Sequence, residues 1–576
     1  MPPRRRTSRA LIALAVAMST LVACMQDPPR GEAASSSEPA VEEAAGGGTV
    51  DIRVPIFTEP GAVPPAVVMS DQSLSGVTYQ VKKGATVVGE GELKPLQAAA
   101  KPWDHAALAS LDAITEPGVY KVVASGVTSA PIEVGDDLYR GVLLSTLSIF
   151  DSNADGDEPS SWHEPSHLND AMSRIANGPR KGDRIDVEGG WMDAGDQLKF
   201  TVTTAYSTLL LELAAANQAA GREQILAAAG IGVRWLLKAH RRGIYVAQVG
   251  HTNADHNAGF RDPTVDDTSD DVRRRVRPSY VLTDKTGGSD VAAGVAAALA
   301  TAALRVGPAP RDRLVAAARA WLAEAERLGG VWQNCCYQQG SWRDDLAVAQ
   351  AALWRATGRT RYAVDALASL RRATSNGDEN WLVAADSYEM SAIAAAELCG
   401  VLRPGDDPAR ADISRPACRF LKAGGEAWIY VVDTATAFGR AGYAQWGSVR
   451  QNEAGAVVLA LAARAGLGRA RAALDRATGW FLGVNPWGLR WQASLGDIEN
   501  PYHWVQAVDL DLQGAVVGGP APLVEINANR PDSLSLGEFD TPKQTYQDLA
   551  DDYVMNEVGI GYSAPAALHF ALISAD

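Results

Sequence analysis

Residues 203–220 read TTAYSTLLLELAAANQAA and residues 290–306 read DVAAGVAAALATAALRV. In both, apolar residues recur every three to four positions and Ala and Leu dominate, so both read as α-helices with a wide apolar face. The same spacing recurs at 223–240, 311–328, 343–357, 361–373, 386–401, 450–465, 468–482 and 560–574. Long helices joined by loops, with no strand alternation between them, predict an all-α unit over 137–576. Ala-rich faces let helices approach closely, which suits two concentric rings; periodicity alone does not separate a barrel from a bundle or a solenoid.

The chain before this unit reads differently. From Val50 to Gly135, short runs such as VTYQVKK (77–83), ATVVGEGEL (85–93) and GVYKVVASG (118–126) alternate in polarity between Gly, Pro and Asp turn signals. That pattern predicts a small antiparallel β-sandwich over 49–136. Residues 25–48 are rich in Pro, Ser, Glu and Gly without apolar periodicity and read as a flexible tether. Ahead of them, Arg4, Arg5, Arg6 and Arg9 precede LIALAVAMSTLVAC, an apolar run too short to span a bilayer and shaped like an export signal. Its ending at Cys24 is similar to a bacterial lipobox, which implies residues 1–24 as a lipoprotein leader, lipidation at Cys24 and a place in the cell envelope.

With 576 residues and 47% hydrophobic content there is room for one large core and a smaller unit. A net charge of −15 argues against nucleic acid as a partner and suits a neutral or weakly basic ligand. Cys399 and Cys418 can close a short loop in an oxidising compartment, whereas the adjacent Cys335 and Cys336 are poor partners for each other.

Two segments carry candidate chemistry. Residues 189–196 read GGWMDAGD, and residues 553–559 read YVMNEVG. Hydrolysis of a glycosidic bond needs one carboxylate to activate water and one carboxylic acid to protonate the leaving oxygen, and Asp193, Asp196 and Glu557 supply both. Two acids three residues apart can face one cavity; they can equally cap a following helix.

The longer segments GGWMDAGDQLKF (189–200) and YVMNEVGIGYSAP (553–565) resemble the two signatures of family 9 glycoside hydrolases. WGS (446–448), FLGVNP (481–486) and GAVVGGP (514–520) are similar to further family segments and stand in the family's order. The resemblance implies an (α/α)6 barrel preceded by an immunoglobulin-like module, and an inverting mechanism. Asp196 is then the base, Asp193 orients the water and Glu557 is the acid. It further implies sugar contacts at Trp446, Tyr562, His503 and His256. No catalytic cofactor is implied. Calcium in relatives is held by a segment matching 340–345, GSWRDD, which makes Asp344 and Asp345 candidate ligands. The alternative is that both acids favour the start of helix 343–357. Where some relatives place a Cys-His pair for zinc, this chain has Ser166-His167, so zinc is not expected.

The departures concern the sugar sites. The histidine- and arginine-bearing segment of relatives reads Pro501-Tyr502-His503-Trp504, and the residues after His256 are Asn257-Ala258-Gly259-Phe260 where relatives carry tryptophan. Gln451 and Gly561 replace a tyrosine and an aspartate. The expected activity is an endo-β-1,4-glucanase acting on cellulose or mixed-linkage glucan and their oligosaccharides. An exo-acting β-glucosaminidase on chitosan oligosaccharides is the alternative enzyme, and an inactive surface glycan-binding protein the alternative of another class.

Overall fold

The computed structural model describes residues 50–61, 63–98, 101–334, 336–374, 383–440 and 446–574. Cys24, the leader, the tether and Cys335 lie outside them.

The first strands form two sheets face to face. One runs Asp51–Arg53, Ala66–Ser70, His105–Ala109, Lys94–Pro95, and the other is built on Gly118–Ala124 flanked by Thr78–Lys83 and Ile132–Val134. Alternate residues such as Val68, Tyr79, Val81, Tyr120 and Val122 point between the sheets and make a separate core. Long-range hydrogen bonds tie the sandwich to the helical unit, among them Ile56 N donating to Leu482 O (2.8 Å), Arg53 Nε to Pro486 O (2.9 Å) and Tyr139 N to Glu59 Oε1 (2.9 Å).

From Leu138 on, helices alternate between two rings. The inner ring runs Thr201–Asn217, Ser289–Ala302, Arg343–Thr357, Ser391–Cys399, Ser448–Arg464 and Ile560–Ile573, and the last packs on the first to close it. Each inner helix is backed by an outer one: Leu138–Ser145, Arg222–Lys238, Pro308–Leu328, Thr360–Thr374, Ala411–Thr434 or Ala470–Phe481. These twelve helices, counted among the described residues, make an (α/α)6 barrel. The sequence reason is visible in Ser289–Ala302, buried at every position, where alanines let neighbouring backbones approach on all sides. Among the described residues no helix is long and apolar enough to cross a membrane.

Three local expectations change. Helix 386–401 begins only at Ser391, because Asp386–Glu389 form a turn closed by two backbone hydrogen bonds. Ala411–Thr434 is helical although its pattern is interrupted by Pro416, Gly424 and Gly425. Packing explains the glycines, since a Cβ at Gly424 would lie 2.6 Å from Val383 and one at Gly425 2.5 Å from Ala462. Third, short strands between residues 173 and 281 form a small six-stranded sheet beside the barrel, too brief to show alternation. Cys399 and Cys418 are bonded, Cα–Cα 5.1 Å, stapling an inner helix to its outer partner. Cys336 is disulfide-bonded too.

Candidate active site

The Gly189-Gly190-Trp191 turn enters the site with two left-handed residues, φ 89° and 85°. At Gly190 a Cβ would lie 2.6 Å from the Trp235 ring, and at Gly195 one would lie 2.6 Å from Tyr502 O, so both positions require glycine. Neither Asp193 nor Asp196 caps the following helix, whose N-cap is Phe200. They are held in a turn whose carbonyls at Met192 and Ala194 accept from Asn153 Nδ2 (3.1 and 2.8 Å).

The two signature segments meet directly, Ile560 N donating to Asp193 O (3.0 Å), and the 514–520 segment joins them where Gly518 N donates to Glu557 O (2.8 Å). Asp193 is buried, its two carboxylate oxygens accepting from the Thr203 and Tyr337 hydroxyls. Burial pushes its pKa up to about 7 against those hydrogen bonds, and nearby Asp196 adds to the rise. Asp196 accepts from Leu198 N (2.9 Å) at one oxygen and from His256 Nδ1 (2.5 Å) at the other. That contact, more than any other, raises the pKa of His256.

Glu557 keeps part of its surface open while its carboxyl end lies deep among protein atoms. Desolvation, followed by repulsion from Asp196 and Asp193, pushes its pKa up to about 8; the Tyr562 hydroxyl donating to Oε2 (3.1 Å) opposes the rise. One carboxyl that keeps its proton therefore faces another arranged as an acceptor, the requirement for acid–base work on a single bond.

Trp446 is half-buried, its ring 5.3 Å from that of Tyr553. His503, expected to meet sugar hydroxyls, is instead fully buried: Nε2 donates to Asn153 Oδ1 (2.7 Å) and Nδ1 accepts from Val505 N (3.4 Å). Both ring nitrogens are used inside the protein and its pKa falls to about 3, so it braces Asn153, and through it the Asp193 turn, from behind.

Several residues escaped the sequence reading. Tyr337, from a distant part of the chain, and Thr203, in the first turn of the helix that follows, hold Asp193 with no local signal to mark them. Trp446, an expected sugar contact, ends a run of partly exposed rings whose other members, Phe260, Tyr502 and Tyr553, were not assigned to the site, with centroids 4.5, 5.7 and 5.3 Å apart from Phe260 to Trp446. Tyr502 is bridged to Glu557 through the backbone, so this aromatic wall flanks the acid.

Asp344 and Asp345 start helix Arg343–Thr357 but are buried with Asp290 and Glu389 nearby. Burial raises Asp344 to about 6 and Asp290 to about 7. Asp290 Oδ2, Asp344 Oδ1 and Asp345 Oδ2 are buried without a hydrogen-bond partner, a donor set of the kind a hard cation takes. As placed, no three acidic, histidine or cysteine side chains among the described residues converge tightly enough to hold a metal.

The sequence profile of glycosyl hydrolase family 9 matches residues 139–570, and the chain belongs to that family. It is similar to Endoglucanase 3 of Oryza sativa subsp. japonica, 32% identical over 39% of this chain and 46% of the relative. An endoglucanase of Dictyostelium discoideum is 26% identical over 77% of this chain and 62% of the relative. The chain spans about half the length of the curated relatives it matches. Among solved structures, a metagenome-derived glycoside hydrolase family 9 endoglucanase superposes with TM-score 0.73 at 23% identity, covering 92% of this chain and 99% of that one, which shows the shared fold.

Proposed function

We propose that this chain is an inverting β-glycoside hydrolase acting on β-1,4-linked glucan or mixed-linkage glucan and their oligosaccharides, in the manner of an endoglucanase. Glu557 gives its proton to the glycosidic oxygen as the bond breaks. Asp196 takes a proton from the attacking water, and Asp193, fixed by Thr203 and Tyr337, orients that water. The observation that carries this reading is the meeting of the two acid-bearing segments, Ile560 N donating to Asp193 O (3.0 Å), where burial and the neighbouring Asp196 and Asp193 push the Glu557 pKa up to about 8. The aromatic wall favours a sugar chain, whose apolar ring faces stack on such side chains.

A second reading keeps the chemistry and changes the sugar. Asp196, with Asp193 beside it, would attract the amine of a glucosamine unit, so an exo-acting enzyme on chitosan oligosaccharides fits the acidic character of the site. Product analysis on cellohexaose, mixed-linkage glucan and chitosan oligomers separates the two: internal cuts in glucan support the first, single glucosamine release the second, and no product from any of the three refutes both.

Asp344 and Asp345 are proposed to hold a structural calcium with Asp290, the ion drawing the unpartnered oxygens together. Cys24 is proposed as a lipid anchor to the cell envelope. A Cys24→Ser protein is then expected in the soluble fraction; unchanged membrane association contradicts the anchor.

A further inference from the structure

Behind the Asp193–Asp196 turn lies a buried group of charged side chains that neither the acid nor the base uses. Its inner half balances as it stands. Lys199 Nζ contacts Asp155 Oδ2 (2.9 Å) and Asp170 Oδ2 (2.8 Å), and Arg277 Nη2 contacts the same two oxygens, each at 2.6 Å. The outer half has two acids, Asp255 and Asp266, and one permanent cation, Arg261, which contacts both at 2.9 and 2.5 Å. The fourth outer member is His167. Its Nδ1 faces Asp155 Oδ1 (2.7 Å), and its Nε2 faces Asp266 Oδ2 (3.1 Å) and Gln197 Oε1 (3.3 Å). Every one of these partners is an acceptor, so both ring nitrogens must carry hydrogen. With His167 as imidazolium, four cations stand against four carboxylates and the cluster is neutral.

The cluster grips both arms that hold Asp196. Gln197, the next residue, gives its carbonyl to Arg277 Nη1 and its side-chain amide to Arg261 O (2.9 Å). Lys199 Nζ donates to Val187 O and Gly189 O, both at 3.0 Å, fixing the glycine turn ahead of Asp193. Asp255 Oδ2 accepts from His251 N (2.7 Å) and closes the turn that presents His256 to Asp196.

We propose that this charge-balanced cluster, completed by a doubly protonated His167, is the positioning device that sets the carboxylate of Asp196 against its substrate. The proposal rests on the reading of Asp196 as base. Loss of the His167 charge leaves one buried carboxylate uncompensated, a costly state that the turn relieves by moving.

A double-mutant cycle tests it. His167→Gln is expected to lower kcat on cellohexaose by about tenfold or more with KM changed by less than about threefold, since Asp196 is displaced while the aromatic wall stays. Asp266→Asn alone is mild, because His167 can release its proton and restore neutrality. The double variant regains most of the lost kcat and thermal stability, since three acids then face three cations. Additive losses in the double variant would overturn the proposal, as they are what a purely packing role gives. Should His167→Gln fail to fold, ¹⁵N spectra of histidine-labelled wild type decide. A His167 signal with both nitrogens protonated at pH 7.5, lost in Asp266→Asn, supports the cluster, and a neutral tautomer in wild type overturns it. Asp196→Asn separates this outcome from failure of the base assignment: full activity in that variant sinks the assignment whatever the cycle shows.

Discussion

Replacing Glu557 with glutamine keeps the size of the side chain and a group for Tyr562 to meet, but removes the proton that Glu557 can transfer. Turnover on oligosaccharides is expected to fall by about 10²–10⁴-fold or more, the range of a general acid. Stability should move the other way. An ordinary glutamic acid releases its proton near 4.5, whereas Glu557 in the fold keeps it to about 8. A raised carboxyl pKa means full stability below pH 4.5 and a progressive loss as pH climbs through 8, because only the unfolded chain is free to ionise. At about 1.4 kcal/mol per pH unit the whole window amounts to about 5 kcal/mol. Water in the cleft and local relaxation reduce this to roughly 2–3 kcal/mol. Glutamine has no such loss. Urea unfolding at pH 5 and pH 8 should therefore show Glu557→Gln close to wild type at the lower pH and more stable at the higher. Wild-type kcat/KM should decline above about pH 8 as the acid loses its proton. Equal stability of the two proteins at pH 8, or a gain that does not depend on pH, would refute the claim that this carboxyl is held protonated by its surroundings.

Calcium added after EDTA treatment should raise the unfolding temperature by several degrees, as expected from about 2–3 kcal/mol of binding linkage at about 100-fold saturation. Asp345→Asn should abolish the rise, and an unchanged wild-type unfolding temperature would instead mean that protons alone neutralise the Asp290–Asp344–Asp345 group. Tyr502→Ala removes the centre of the aromatic wall and should raise KM for cellohexaose by about 3–10-fold, the worth of one stacking contact, with a smaller change in kcat. Unaltered KM would remove Tyr502 from the sugar path.

The barrel was legible because its inner helices are apolar and Ala-rich over their whole length, so that period and composition agree. Ala411–Thr434 was hidden for the opposite reason: Gly424 and Gly425 look like breaks in sequence and are contact points in space. The strands around residues 173–281 pair across long separations and carry too few residues each to display a period. At the site, Asp193, Asp196 and Glu557 were legible as carboxylates in glycine-bounded segments, and the fold brings their segments into hydrogen-bond contact. Tyr337 was not, since only the closed ring brings it to Asp193, and Thr203 reaches Asp193 only through the way the local turn folds back. His503 shows the converse. Its sequence position suggested the cleft, yet hydrogen bonds to Asn153 and Val505 hold it inside, a distinction that depends on which way a loop turns.

The central claim is that water, activated by Asp196, attacks the sugar directly while Glu557 protonates the departing oxygen, with no covalent sugar on the protein. A single displacement inverts the anomeric centre. Proton NMR of cellohexaose during the first minutes of hydrolysis, faster than the anomers interconvert, reads the configuration of the newly formed reducing end. The account predicts that the α-anomer appears first and the β-anomer only later by mutarotation. Initial release of the β-anomer would contradict it.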